Sequence, residues 1–369
     1  MDRREFLRLG GVGLAGAVLL GTASSQVRAQ ADASLKAEFE SAAAEYGLPQ
    51  ELLLAMGYVN TVWEMPPADA NDYAKGDIEG AGTYGIMQLE KNPWRDTLGK
   101  AASLTAFSEQ ELKSDRAANI RGGAAVLAEI QGSQKPADLN GWRGAVSEYG
   151  GIELYAEEVY ETLKSGASTT ISTGEHVELA PQDIEVPAVF TAQGKADYGR
   201  ADWRPAFWNH RRKCRNSINF CQRHRGAPDI DRIIIHVAQG SYSGTIRTFK
   251  RRSGVSAHYV VGRRGQVAQC VRNADIAYHA GWWAYNKRSI GMEHAGFVSD
   301  NFSDRQYRGS ARLAAYLTKR FNIPVDRRHI IGHNQVPGCP GRGGGIDCHT
   351  DPGKHWKWNK YLDLIRHYR

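Results

Sequence analysis

The sequence predicts a multidomain chain, in which an all-α domain is followed by an α/β domain with a central mixed sheet flanked by helices. In residues 32–165 apolar residues recur with helical spacing, whereas from Arg232 onwards short β-branched runs alternate with turns. The chain has 369 residues, 41% of them hydrophobic and 24% charged, which is enough for two domains of ordinary size.

The helical domain is predicted from several periodic segments. They are LKAEFESAAAEYGLP (35–49), QELLLAMGYVNTVW (50–63), DRAANIRGGAAVLAEIQG (115–132) and YAEEVYETLKSG (155–166). Residues 166–200 are rich in Ser, Thr, Gly and Pro without a clear period, and we interpret them as a linker.

The second domain, residues 201–369, contains alternating strand and helix signals. RIIIHVA (232–238), SAHYVVG (256–262), QVAQCV (266–271) and SIGMEHAGF (289–297) are the predicted strands, and SDRQYRGSARLAAYLTKRF (303–321) is a predicted amphipathic helix. Polar residues that follow such strands lie at the sheet edge, where functional groups concentrate.

Residues 1–31 are interpreted as a twin-arginine signal peptide. Arg3 and Arg4 precede the apolar run GGVGLAGAVLLG, and Ala29-Gln30-Ala31 suits a signal peptidase. The alternative, a membrane anchor, is disfavoured because the run is too short to span a bilayer comfortably. We therefore expect a protein exported by the twin-arginine route to the periplasm, cell wall or medium, with no stable membrane insertion after signal cleavage.

The five cysteines fit an oxidising compartment. Cys214 and Cys221 bracket one short loop, and Cys339 and Cys348 bracket a glycine-rich loop, so each pair is a predicted disulfide. Cys270 lies in an apolar strand and is expected to be a buried free thiol. The net charge of +7 and the pI near 9.1 favour anionic partners, which for an exported protein are wall polymers or membrane surfaces rather than nucleic acid.

Three residues of the second domain suggest a metal site. His236 ends the apolar run 233–235, His333 follows Ile330-Ile331-Gly332, and Asp351 precedes Pro352-Gly353 in a turn. A single strand-end histidine is more often a core residue than a ligand. Two histidines and one carboxylate, however, form a known catalytic zinc set that leaves a fourth position open.

The same domain resembles the zinc-dependent N-acetylmuramoyl-L-alanine amidases of the type 2 class, which are related to the peptidoglycan-recognition proteins. The resemblance lies in IIIHVAQGSYSGTI (233–246), VSAHYVVGRRGQVAQCV (255–271), DIAYHAGWWAYNKRSIGMEHAGF (275–297), IIGHNQVPG (330–338) and HTDPGKHWKW (349–358). It places the Zn²⁺ ligands at His236, His333 and Asp351 and the general base at Glu293. Many members carry an oxyanion-stabilising lysine where this chain has His349, so His349 is the second catalytic candidate.

Candidate substrate-binding residues surround these positions. His258 and His279 are expected either to line the groove or to pack in the interior. Trp282, Trp283 and Tyr285 suit a sugar- or peptide-binding wall, with burial as the alternative, and Asn286 adjoins them.

The helical domain is similar to the lysozyme-like domains of lytic transglycosylases. FESAAAEYGLPQELLLAMGYVNTVW followed by GTYGIMQL carries this similarity, but the glutamate of that family falls on Asn60. An amide cannot protonate a glycosidic oxygen. Glu64 is expected one helical turn further on, at i+4 from Asn60, where it could face the same groove. We therefore predict a wall-binding module in residues 32–165.

Together the two resemblances imply a peptidoglycan hydrolase. The predicted reaction is cleavage, by a zinc-activated water, of the amide between the lactyl group of N-acetylmuramic acid and L-alanine of the stem peptide. Its partners would be the glycan strand and stem peptide. The alternatives are a non-catalytic peptidoglycan-binding protein, and a bifunctional enzyme that also cleaves glycan, which Asn60 disfavours.

Overall fold

The structure, a computed structural model, describes residues 34–77, 79–186, 194–209, 214, 217–224, 226–337 and 349–369. The twin-arginine segment, Cys339 and Cys348 lie outside these residues, so the export signal and the second disulfide stay predictions. In the part of the chain that is described, no helix combines the length and apolarity needed to cross a membrane.

The first domain is built mainly from helices. They are α1 (Leu35–Tyr46), α2 (Gln50–Thr61), α3 (Thr97–Leu104), α4 (Glu109–Ser114), α5 (Arg116–Gln131), α6 (Arg143–Gly150) and α7 (Glu153–Ser165). Helix α1 is capped at its start by Ser34, whose hydroxyl accepts from the Ala37 amide, and at its end by Gly47, whose φ of 66° favours glycine. Phe39, Leu53 and Val126 are fully buried in the core that these helices share. The helical segments predicted from periodicity are confirmed.

The prediction of an all-α domain was incomplete, because short strands lie between α2 and α3. Strands β1 (Thr83–Tyr84), β2 (Leu89–Asn92) and β3 (Arg95–Asp96) form a small antiparallel sheet. Strands of two to four residues are too short to show a recognisable alternation in sequence.

The predicted linker also contains regular structure. Strands β4 (Ala167–Thr170) and β5 (His176–Leu179) form an antiparallel hairpin, and Ile171, Val177 and Leu179 are buried in the core of the helical domain. The linker prediction for 166–200 was therefore wrong over this hairpin. The hairpin has few apolar side chains, and they are separated by Ser, Thr and Glu, so its sequence shows no clear strand pattern.

The second domain is an α/β domain with a mixed sheet, as predicted. Its elements are β6 (Asp202–Trp203), β7 (Phe220–Gln222), β8 (Arg232–Val237), α8 (Tyr242–Lys250), β9 (Tyr259–Val261), β10 (Val267–Gln269), β11 (Asp275–Ala277), α9 (Trp283–Asn286), β12 (Ser289–His294), α10 (Asp304–Arg320), β13 (Ile330–Gly332) and α11 (Trp358–Tyr368). The central sheet has the order β13-β8-β12-β9-β10-β6, in which β13, β8, β12 and β9 run parallel. Strand β10 is antiparallel to β9 and parallel to β6.

The two faces of the sheet carry different side chains. Ile233, Ile235 and Val237 of β8 pack with residues of α10 and α11 in one core, whereas Ile234 belongs to a smaller cluster on the opposite face. Because side chains alternate along a strand, His236 shares the face of Ile234, away from the large core. The alternation of β8 therefore aims His236 at the side of the sheet where the candidate site lies.

Two cysteine predictions are confirmed. Cys214 and Cys221 form a disulfide beside the two-stranded β7–β11 ribbon, and Cys270 is a buried free thiol.

The two domains are joined by a buried ionic cluster centred on Glu90 of β2. Its carboxylate lies 2.7 Å from Arg247 and 3.3 Å from Arg251, both in or next to α8, and 3.7 Å from Arg95 of its own domain. Burial alone would raise the pKa of Glu90, but the guanidinium groups of Arg247, Arg95 and Arg251 hold it below its ordinary value. The cluster therefore holds β2 of the helical domain against α8 of the α/β domain.

Candidate active site

The register of the parallel strands brings the candidate catalytic residues into one row. Glu293 of β12 is the direct partner of His236 of β8, and Gly332 of β13 pairs with Ile235, so that His333 follows beside His236. Paired residues of neighbouring strands project from the same face. The row lies at the carboxyl ends of these strands, which is where ligand sites form in α/β sheets.

Asp351 completes the group from the segment after β13. Its carboxylate lies 3.0 Å from His333 Nδ1 and 3.5 Å from His236 Nδ1, and it accepts a hydrogen bond of 3.1 Å from the Val237 amide. Glu293 Oε1 is 3.8 Å from His236 Nδ1. The structure thus brings together all four residues that the sequence places in the metal and general-base roles.

The pKa values of these side chains are set by their burial and by the charges that lie next to them. His236 is fully buried, and desolvation lowers its pKa to about 3, so its imidazole is neutral and free to act as a ligand. Burial would also lower the pKa of His333, but the adjacent Asp351 carboxylate raises it to about 10. Burial, reinforced by Asp351, raises the pKa of Glu293 well above its ordinary value.

The donor atoms fit a small divalent ion. Among the described residues His236 Nδ1 and both Glu293 oxygens have no hydrogen-bond partner, although these side chains are fully buried. Donors bonded to a tetrahedral zinc ion at about 2.0–2.1 Å lie about 3.3 Å apart. His333 Nδ1 lies 3.0 Å from Oδ1 of Asp351, and His236 Nδ1 lies 3.5 Å from its Oδ2, which are separations of the same size. His236, His333 and Asp351 could therefore hold such an ion, which would also offset the cost of burying these polar atoms.

His279 contacts the group through a hydrogen bond to His236. Its Nδ1 is hydrogen-bonded to His236 Nε2 at 3.0 Å, and its Nε2 lies 3.3 Å from the Ser289 hydroxyl. A partner of this kind fixes the ring orientation of a metal-ligating histidine. His258 is fully buried and accepts from the Gly291 amide at 3.1 Å. His258 and His279 are 0% and 5% exposed, which agrees with the packing alternative predicted for them.

A groove of about 590 Å³ adjoins the site, lined by Gly76, Cys214, Gly254, Val255, Tyr278, Gly281, Trp283 and Asn286. Trp283 is 40% exposed and packs edge-on against Tyr278, with ring centres 6.0 Å apart. Trp283 therefore forms an aromatic wall of the groove, and its role in binding substrate stays a prediction.

The other predicted binding residues have different positions. Asn286 borders the groove, but its side-chain oxygen accepts from the His279 and Ala280 amides, so it holds the loop in place. Trp282 is 38% exposed and lies against Tyr285, whose ring in turn lies 4.9 Å from the Arg232 guanidinium. Trp282 and Tyr285 do not line this groove.

His349 lies between the groove and the buried group. Its ring stacks on His333 at a centroid distance of 3.5 Å and an interplanar angle of 19°. A Cβ at Gly281, in the groove wall, would be 3.2 Å from His349 Nε2. His349 thus lies next to both His333 and the groove wall at Gly281.

Glu79, from the helical domain, was missed by the sequence reasoning. Its Oε1 lies 3.7 Å from His333 Nδ1, and donor atoms of Glu79, His333, His349 and Asp351 all lie within 4.8 Å of one another. The acidic loop DYAKGDIEG was the available signal, but its tertiary position was not predictable from local sequence.

The region around Asn60 does not form an open groove. Asn60 lies in a cavity of about 40 Å³ at the boundary with α8, lined also by Tyr155, Gln239 and Arg247. Helix α2 ends at Thr61, so the proposed helical spacing of Glu64 from Asn60 was wrong. Glu64 instead accepts hydrogen bonds from the Ser172 amide and hydroxyl at 2.7 and 2.6 Å.

A buried group of two histidines and two carboxylates at the end of a parallel sheet defines a candidate metallohydrolase site. The family model for N-acetylmuramoyl-L-alanine amidase matches residues 226–354. The chain is 31% identical over 191 residues to N-acetylmuramoyl-L-alanine amidase A of Achromobacter lyticus, covering 46% of this chain and 95% of the relative. It therefore belongs to the N-acetylmuramoyl-L-alanine amidase family.

Further similarities involve AmpD proteins. The chain is 32% identical over 119 residues to 1,6-anhydro-N-acetylmuramyl-L-alanine amidase AmpD of Haemophilus influenzae, covering 30% of this chain and 59% of the relative. It is also similar to the crystal structure of an AmpD derivative, with 22% identity, a TM-score of 0.33 and coverage of 45% of this chain and 94% of the other.

Proposed function

We propose that this chain is a zinc-dependent N-acetylmuramoyl-L-alanine amidase that hydrolyses the amide between the lactyl group of muramic acid and L-alanine of the stem peptide. The observation that carries the proposal is the convergence of His236, His333 and Asp351 beside Glu293, with donor separations of 3.0–3.8 Å. Membership of the amidase family supports the choice of substrate.

His236, His333 and Asp351 would hold the zinc ion through two imidazole nitrogens and one carboxylate. When bound, zinc supplies Lewis acidity towards water and the scissile carbonyl. His279 keeps the His236 ring oriented through their 3.0 Å hydrogen bond, and the Val237 amide orients Asp351.

Glu293 would act as the general base and then as the general acid. Its carboxylate takes a proton from the attacking water and delivers that proton to the nitrogen of L-alanine as the amide bond breaks. His349, next to His333 and the groove wall, would donate a hydrogen bond to the carbonyl oxygen as negative charge develops there. The groove with Trp283 and Tyr278 would hold the stem peptide next to this pair.

The remaining proposals concern the setting of this activity. The twin-arginine segment, residues 1–31, would export the protein to the wall or periplasm. The helical domain would contribute to wall binding, although the cavity at Asn60 is closed by α8 as the two domains are placed. A glycan strand would therefore need another surface of this domain, or a separation of the domains.

The test is mass spectrometry of soluble products after zinc-loaded mature protein is incubated with purified peptidoglycan. We expect free stem peptides that begin with L-alanine, and at least about 10²-fold less of them from the Glu293→Gln variant in the same time. Retained wall binding without products would favour the non-catalytic recognition protein. Anhydromuramyl products would indicate the bifunctional alternative.

A further inference from the structure

Glu79 reaches the candidate metal centre from a different domain than the other donors. It lies in the segment between α2 and β1 of the helical domain, whereas His236, His333 and Asp351 belong to the α/β domain. Its Oε1 is 3.7 Å from His333 Nδ1, comparable with the separations among the three proposed ligands. A catalytic zinc site normally keeps one position open for water or substrate. Glu79 adds a further possible donor beside His333 and Asp351.

Glu79 carries a largely buried carboxylate, and His333 lies 3.7 Å from it. The Glu79 side chain is only 17% exposed, and Oε1 is buried without a hydrogen-bond partner in the described part of the chain. A buried carboxylate is costly unless a cation or donors compensate its charge. A divalent ion held by the neighbouring ligands would supply that compensation.

The loop that carries Glu79 lies between α2 and β1, and hydrogen bonds within it hold the backbone on either side of Glu79 in place. The Ala74 amide donates to the Gly80 carbonyl at 2.9 Å, and the Glu79 amide donates to the Asp77 carboxylate at 2.9 Å. A Cβ on Gly80 would lie 2.7 Å from the Ala74 nitrogen, so this turn requires glycine.

Two contacts place the same loop against the α/β domain. The Asn71 side chain donates to the Gln239 carbonyl at 2.9 Å, across the domain boundary. Gly76 forms part of the wall of the groove that Trp283 also lines. The loop therefore reaches the groove and the candidate metal position at once.

We propose that Glu79 is a fourth metal ligand that keeps the enzyme latent in this conformation, and that the loop must move away before a substrate carbonyl can reach the metal. This inference rests on the proposed zinc centre. It assigns the helical domain a regulatory role at the active site of its neighbour.

The test compares zinc affinity and activity in matched variants. Glu79→Gln keeps the size of the side chain but removes its charge, Gly80→Ala displaces the turn but keeps the carboxylate, and Asp69→Asn is the control on an exposed residue of the same segment. Zinc affinity is measured by competition with a coloured chelator, and activity on a soluble muramyl peptide at saturating zinc.

We expect Glu79→Gln to bind zinc at least about tenfold more weakly than the unsubstituted protein, because loss of a direct ligand should cost no less than loss of a supporting residue. We also expect its turnover to be several-fold faster. Gly80→Ala should likewise weaken zinc binding and speed turnover. Asp69→Asn should leave both the zinc affinity and the turnover unchanged.

Three results would overturn the inference. Unchanged zinc affinity in Glu79→Gln would show that Glu79 is no ligand. Weaker zinc binding with slower turnover would show that Glu79 serves catalysis rather than latency. If the unsubstituted protein binds zinc no better than His333→Ala, the proposed metal centre itself fails, a result distinguishable from the first two.

Discussion

Glu293 is fully buried, and neither of its carboxylate oxygens has a hydrogen-bond partner among the residues that the structure describes. We expect Glu293→Gln to lower kcat by about 10²–10⁴-fold, because an amide cannot accept the proton from water. Zinc content should be retained, since His236, His333 and Asp351 remain. Initial rates and metal analysis of the same preparation test this. Normal turnover in zinc-loaded Glu293→Gln would exclude Glu293 as the base.

Among single residues, the candidate metal ligands could be predicted from the sequence where a histidine directly follows the apolar run of a strand. His236 and His333 each follow an apolar run, and the fold brings both to Asp351. The roles of His279 and Glu79 were not accessible in this way, because each depends on packing between distant segments. His258 was ambiguous for a related reason, since a histidine in an apolar strand has the same local sequence whether it faces a groove or a core.

At the scale of elements, the strands and helices with several apolar residues were predictable. The strands β8 and β12 and the helix α10 were found because their patterns extend over enough residues to establish a period. The hairpin of β4 and β5 was missed because its buried face consists of few side chains. Local sequence also gave no indication that β2 and α8 would meet through Glu90.

This contact between elements gives the molecule a pH-dependent stability. The pKa of Glu90 is lowered from 4.5 in the folded protein, so its stabilising contribution is fully present above about pH 4.5. That contribution is lost as the pH falls through the lower folded value. We expect Glu90→Gln to lower the free energy of unfolding at neutral pH by about 3–5 kcal/mol, because it leaves buried guanidinium groups unpaired.

Denaturant unfolding at pH 7 and at several values below 4.5 measures the effect. The difference between Glu90→Gln and the unsubstituted protein should shrink as the pH falls. Glu109→Gln is the control, because Glu109 pairs with the 46%-exposed Lys91 at the surface, where such a pair contributes only about 0–1 kcal/mol. Equal stability of the two variants at neutral pH would refute the role given to Glu90.

At the scale of the whole molecule, the packing of the two domains limits what the helical domain can do. The cavity at Asn60 measures about 40 Å³, room for a few waters, whereas ligand sites usually occupy about 300–1,000 Å³. Helix α8 supplies Thr245 and Arg247 to its wall, so the α/β domain covers the cavity beside Asn60. The arrangement instead directs the Glu79 loop towards the amidase site.

This packing predicts that Asn60→Glu will not create glycan cleavage, even though it supplies a carboxyl group of the kind that can protonate a glycosidic oxygen. Asn60 is only 2% exposed, so the new carboxyl should lower the melting temperature without meeting a sugar. Asn60→Gln, which lengthens the side chain but keeps the amide, is the matched control. Product analysis on purified peptidoglycan and thermal unfolding provide the two measurements. Glycan fragments from Asn60→Glu but not from Asn60→Gln would mean that the domains separate on the wall and open the cavity that α8 covers.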